Sequence, residues 1–69
     1  MLSFGTIPEC STVHTTKAID VAGRLLPTGS QGAVVHVYAH GEAYEVEFVD
    51  PFPAVVMLRP RDIEADAHN

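Results

Sequence analysis

Residues 32–50, GAVVHVYAHGEAYEVEFVD, constrain this chain more than any other stretch, because apolar and polar side chains alternate on both sides of a His40-Gly41 dipeptide. A period of two is the signature of a half-buried strand. A two-residue hairpin loop needs positive φ at its centre, which glycine adopts freely and histidine more readily than a β-branched residue. With His40-Gly41 as the loop, the register follows by counting outward: Ala39 faces Glu42, Tyr38 faces Ala43, Val37 faces Tyr44, His36 faces Glu45, Val35 faces Val46, Val34 faces Glu47 and Ala33 faces Phe48. One face then gathers Ala33, Val35, Val37, Tyr44, Val46 and Phe48 as an apolar layer. The other gathers Val34, His36, Tyr38, Glu45, Glu47 and Val49, so the stretch reads as an antiparallel pair with one face in the core.

The remaining segments are shorter and less regular. Residues 12–21 are rich in β-branched side chains, and Val13, Thr15, Ile19 and Val21 face one way with Lys17 as the discordant member, which predicts a single strand. Residues 22–31, AGRLLPTGSQ, have loop composition around one apolar pair, Leu25-Leu26, placed to cap an open barrel end. Pro51 and Pro53 cannot donate to a ladder and stiffen the connector that follows the hairpin, holding Phe52 clear of the sheet. Residues 54–59 predict another strand, apolar on both faces through Val55, Val56, Met57 and Leu58, as expected of a strand buried on both sides or of a sheet edge covered by another chain. Pro60 ends it, Arg61-Asp62-Ile63 fits one helical turn returning Ile63 to the core, and residues 64–69 are polar enough to fray. At the start, residues 1–11 carry Leu2, Phe4 and Ile7 without a period, which predicts an irregular arm.

Size and charge narrow the functions. A chain of 69 residues forms one domain, and such a chain hides only about 60% of its unfolded surface, so its core is marginal. With Cys10 alone, an intramolecular disulfide and a cysteine zinc site are excluded, leaving oligomerisation as a source of stability. The lone thiol, the lack of a signal-peptide pattern at the start and the lack of an apolar run near the ~18 residues of a membrane span together predict a soluble, cytoplasmic protein. The net charge of -5, with only Lys17, Arg24, Arg59 and Arg61 as cations, disfavours nucleic acid as a partner.

The run Leu26-Pro27-Thr28-Gly29-Ser30-Gln31-Gly32-Ala33-Val34-Val35, with Val37-Tyr38, Gly41, Ala43-Tyr44-Glu45-Val46-Glu47-Phe48 and the closing Leu58-Arg59-Pro60, resembles an uncharacterised family of very short bacterial proteins with a GxxGxVVxVY…GxAYEVEFV pattern. The resemblance spans roughly residues 12–64. It implies an all-β fold, a small SH3-like β-barrel of about five antiparallel strands over residues 12–64, with the N-terminal arm at 1–11 and a polar tail at 65–69. It also implies a protein partner, since some members look like partners of neighbouring toxin-like genes; an antitoxin-like role is one alternative. This chain departs from the pattern at residues 17–24, where a shorter acidic turn is usual.

Each candidate chemistry has a plainer counterpart. Gly29-x-x-Gly32 is similar to a glycine motif of RNA-touching SH3-like modules, but those glycines also simply let the chain turn into a strand, and the basic residues that RNA requires are missing. Among His14, His36, His40 and His68, the rings of His36 and His40 point differently across a strand end and a turn, and a zinc site needs three or four converging ligands. His36 opposite Glu45 is better read as a cross-strand pair sensitive to pH. Cys10 lies about 13 Å of extended chain from His14, too far for a nucleophile and its base. Glu45 and Glu47 share one strand face but lack the contrasting environments that acid–base work needs.

The expectation is therefore a non-catalytic interaction module without cofactor or metal, working through Val34, Tyr38, Val49 and Phe52 and associating with itself as a dimer or higher even-numbered assembly, with another protein as a further partner. A small nucleic-acid-associated module using Arg24, Arg59 and Arg61 is the alternative from another class.

Overall fold

The structure is a computed structural model, and it describes residues 6–66. Its centre is the expected hairpin, formed by β4 (Gln31–Tyr38) and β5 (Ala43–Phe48). The connection is four residues long rather than two. Ala39, His40 and Gly41 take positive φ in succession (47°, 58° and 104°), and the amides of Gly41 and Glu42 both donate to the Tyr38 carbonyl. A two-residue loop does occur elsewhere. Ala22-Gly23, at φ 51° and 88°, joins β2 (Ile19–Val21) to β3 (Arg24–Leu26), with the Asp20 carboxylate accepting from the Gly23 amide.

The predicted register holds from Tyr38↔Ala43 through Val37↔Tyr44 to His36↔Glu45 and then slips by one: Val34 pairs with Val46, Ala33 with Glu47 and Gly32 with Phe48. Val35 is the extra residue of a β-bulge. The faces of the first half of β4 are consequently exchanged. Val34 is 0% exposed and Val35 is 43% exposed, while Ala33 lies beside Glu47 on the outer face. The expected inward placement of Val35 and Ala33 and outward placement of Val34 are thus corrected; Val46, Tyr44 and Phe48 are buried as predicted.

Outside the hairpin, residues 12–21 break into β1 (Thr12–Thr15) and β2, because residues 16–18 turn away from the sheet. Val13, Thr15 and Ile19 do face the core. The buried Thr15 hydroxyl donates to the Pro27 carbonyl and accepts from the Ser30 amide, so its burial leaves no unpaired polar atom. Within the segment expected to be loop, β3 buries Leu26 and leaves Leu25 exposed. After the connector, whose Asp50-Pro51 bond is cis, come β6 (Ala54–Leu58), a 3-10 turn at Pro60–Asp62, and β7 (Ile63–Ala65). β7 returns to pair with β1 where a fraying tail was expected. Residues 67–69 with His68, and Leu2 and Phe4 of the arm, lie outside the described residues.

Two antiparallel sheets result, one of five strands in the order β6-β5-β4-β1-β7 and one formed by the β2–β3 hairpin. The chain is all-β, but the sheet does not close into a barrel; β6 and β7 are its two edges. The core gathers Val13, Ile19, Leu26, Val34, Tyr44, Val46, Phe48, Phe52, Leu58 and Ile63 between the sheets, with Ile7 of the arm packed against it. The arm is tied down by the Ile7 amide donating to Tyr44 Oη and by reciprocal hydrogen bonds of Cys10 and Ser11 with Val34. Among the described residues no helix is long and apolar enough to cross a membrane.

Candidate functional site

The sequence reads Val34, Tyr38, Val49 and Phe52 as one exposed surface, and the structure does not bring them together. Val34 is in the core through the bulge. Phe52 is also in the core, at 7% exposure, because the bend at residues 50–52 folds it back under the sheet rather than holding it clear. Its ring is covered by the Arg24 guanidinium, 4.0 Å from the ring centroid. Tyr38 is partly buried, edge-on to His36 with ring centroids 4.4 Å apart. Burial pushes the Tyr38 phenol up from its ordinary pKa, and the charge of Glu45 and a hydrogen bond to it add to the shift. Val49 alone is fully on the surface, at 71% exposure.

Elsewhere the large apolar side chains left open are Leu25 on β3, at 62%, Val35 in the bulge, at 43%, and, side by side on one strand, Val55 and Met57, at 57% and 59%. The last two lie on β6, whose alternate residues Val56 and Leu58 turn to the core, and among the described residues β6 pairs only with β5. The register sets Val55 beside Glu47 and Met57 beside Glu45, so the outer face at this edge is a short apolar row backed by two carboxylates. Arg59 follows with the same parity and is exposed. Proline brackets the strand at Pro53 and Pro60, and neither can donate a backbone hydrogen bond. The sequence shows the two-faced apolarity of this strand; which of its faces is open depends on strand order, which periodicity does not contain.

Hollows among the described residues accompany the sheet. A shallow groove of about 660 Å³ crosses its outer face over Thr12, Ala33 and Glu47, between Pro27 and Ser30 on one side and Val49, Asp50 and Pro51 on the other. A smaller one, about 450 Å³, lies among Pro8, Glu9, Cys10, Ser11, Ala65 and Asp66. The Cys10 thiol is exposed.

The densest group of titratable side chains is a hydrogen-bonded one. His14 on β1 meets Asp66 through Nδ1 at 2.7 Å and Glu64 through Nε2 at 3.2 Å, and Gln31 Nε2 donates to the other Asp66 oxygen. The hydrogen bond to Asp66, more than offsetting the effect of burial and reinforced by Glu64, raises the His14 pKa. Its position, spanning β1, β7 and the start of β4, ties the last strand to the sheet. His36 Nδ1 lies 3.8 Å from Glu9, while its expected cross-strand partner Glu45 engages Tyr38. Asp62, mostly buried in the 3-10 turn, accepts from the Arg59 amide and faces Lys17 at 3.3 Å. Burial pushes its carboxyl up, but the Arg59 amide together with Lys17 and Arg61 outweighs that and leaves the pKa lowered. Among the described residues no three His, Cys, Asp or Glu are arranged to hold a metal ion.

No curated protein and no solved structure matches the chain. One family does, over residues 9–52, which run from the end of the arm through β5 to the buried Phe52 and stop short of β6. The match covers 44 of 69 residues, narrower than the extent inferred from the sequence motifs, and on it the chain belongs to the family described as Domain of unknown function (DUF4926).

Proposed function

We propose that the protein is a non-catalytic protein–protein interaction module that works by strand addition at β6. The observation that carries this reading is the edge itself: a five-residue strand, hydrogen-bonded among the described residues on one side only, that presents Val55 and Met57 to solvent. An extended segment laid along β6 satisfies the outward backbone groups and covers both side chains, the usual chemistry of recognition at a sheet edge. The prolines at 53 and 60 confine the docking to the six residues between them.

The order of elements supports an SH3-like ancestry for the module: a first strand, a hairpin excursion, a three-strand meander, a 3-10 turn and a last strand returning to the first. Work in a reducing cytoplasm belongs to the same reading, supported by the free, exposed thiol of Cys10. A role in binding nucleic acid draws no support from Arg24, which is engaged over Phe52.

The test is capture of partners from host extract by the wild-type protein and by Met57→Lys. Loss of the captured partner with Met57→Lys, and its retention by Leu25→Lys at the exposed side chain of the separate β2–β3 hairpin, supports docking at β6. Equal capture by all three removes β6 as the working surface.

A further inference from the structure

Resting on the strand-addition reading, we infer that the segment that docks on β6 is β6 of a second copy, antiparallel about a two-fold axis through Val56. In this register Ala54 faces Leu58 of the second copy, Val55 faces its Met57, and Val56 faces itself. Three features of the strand select this arrangement.

The first is parity. In an antiparallel pair, residues whose amides point toward the partner must meet residues that do the same. The two-fold register joins only residues of equal parity, 54 with 58 and 55 with 57, so each outward N–H and C=O finds its complement. The second is the side-chain pattern. Val55 and Met57 are symmetric about Val56 and both open to solvent. The two-fold axis joins them into one continuous patch of four apolar side chains, two on each strand, where a shift by two residues would set Met57 against Pro53 or Val55 against Arg59. Pairing of β6 with the opposite edge of a second copy is heterologous, offers only the three residues of β7, and brings the Glu64 carboxylate against the apolar row.

The third is charge. Along the outer face the row becomes Glu47, Val55, Met57 of the second copy, Glu45 of the second copy. Its terminal carboxylates are roughly 14 Å apart, beyond the screening length of about 8 Å at physiological salt. Arg59 continues the same face one step further, diagonal to Glu47 of the second copy. The two Cα positions are about 12 Å apart, a span that the two extended side chains cover. Within one chain Arg59 is diagonal to Glu45, the neighbour of Met57, and the second copy adds Glu47 as a further carboxylate on the same face. The contact is smaller than the about 800 Å² per partner of a standard interface, so the association is weak and concentration-dependent.

The register is read by disulfide cross-linking. In a Cys10→Ser background, Val55→Cys and Met57→Cys proteins are oxidised with diamide separately and as an equimolar mixture, in the high-micromolar range. The inferred register brings Cα of residue 55 to about 4.5–5.5 Å from residue 57 of the second copy, within disulfide range, whereas residue 55 lies roughly 8 Å from its own counterpart, outside it. The expected result is a mixed Val55→Cys/Met57→Cys dimer forming about tenfold faster than either symmetric dimer. Symmetric dimers forming as fast as the mixed one overturn the register. Light scattering on the same unmodified samples separates the two levels of the argument. A monomer throughout overturns self-pairing while leaving capture of another protein by β6 standing; a dimer unaffected by Met57→Lys places self-association elsewhere and overturns the inference.

Discussion

Val34 stands opposite Val46 in the core, one residue out of the register that His36 and Glu45 keep further along the same two strands. The bulge at Val35 lets β4 turn its first half over, so that Gly32 and Val34 face inward while His36 stays out. Val34→Ala removes two methyl groups from a site with no solvent access and is expected to cost about 1.5–3 kcal/mol. Val35→Ala acts on a half-open side chain and should stay within about 0.5 kcal/mol. Urea unfolding of the two variants at matched concentration checks this; equal losses would contradict the bulge.

Gly32 is the residue that permits the close approach of β4 to β5. A Cβ built there meets the Glu47 carbonyl oxygen and Val46 Cγ1 at 2.8 Å and Phe48 Cδ2 at 2.9 Å. The backbone oxygen cannot swing aside, so strand separation or repacking must follow. Gly32→Ala gains about 0.4–1 kcal/mol by restricting the unfolded chain but loses about 1–3 kcal/mol by overpacking, and the net sign is destabilising. A lowered thermal midpoint is expected, and a raised one would mean that the ladder has slack the geometry does not show.

How far the sequence reaches is visible at this point. Alternation in AYEVEF places Tyr44, Val46 and Phe48 correctly because β5 is regular and every second side chain differs in polarity. It cannot place Val34 and Val35, because in a Val-Val pair either residue satisfies the core and the pattern is silent about which one the bulge ejects. β7 was hidden for a similar reason: three residues, one of them buried, recruited by pairing with β1 rather than by their own period. The β6 edge lies between these cases, its apolarity plain and its exposure decided by strand order.

His14 gives the fold a dependence on pH. The pKa is raised in the folded state by Asp66 and Glu64, so folding binds the His14 proton more tightly than the unfolded chain does. The resulting stability is complete below the ordinary value of 6.5 and is lost as pH rises through the higher folded value. The groups facing the ring among the described residues are Glu64 of β7 and Asp66 just beyond it, with Gln31 of β4 held on Asp66. The thermal midpoint of the wild type should therefore exceed that of His14→Gln by more at about pH 5.5 than at about pH 8.5. A difference independent of pH would show that the imidazole acts only as a neutral hydrogen-bonding group.

Asp62 works in the opposite sense. Its folded carboxyl is held below the ordinary value of 3.8, so its contribution is present above that value and disappears as pH falls through the lower folded one. Asp62→Asn keeps the shape but weakens the hydrogen bond from the Arg59 amide and the approach to Lys17, a loss of about 1.5–3 kcal/mol for a charged acceptor. Lys17→Ala, at a side chain 61% exposed, should cost under about 1 kcal/mol. Chemical denaturation at neutral and strongly acidic pH tests both expectations, since the Asp62→Asn deficit must vanish in acid.

Phe52 separates a core role from a docking role. Its ring lies under the sheet, at 7% exposure, with the Arg24 guanidinium above it, 4.0 Å from the centroid. Phe52→Ala is accordingly expected to cost about 3–5 kcal/mol, a large share of the stability of a domain this size. Arg24→Ala removes an exposed cation over one face and should cost about 0.5–1 kcal/mol, with Arg24→Lys recovering part of it. Urea unfolding below the concentration at which the protein associates makes the distinction. A side chain that served a partner would leave the monomer's unfolding midpoint in place, whereas one that fills the core lowers it at every protein concentration, and the second outcome is the one expected here.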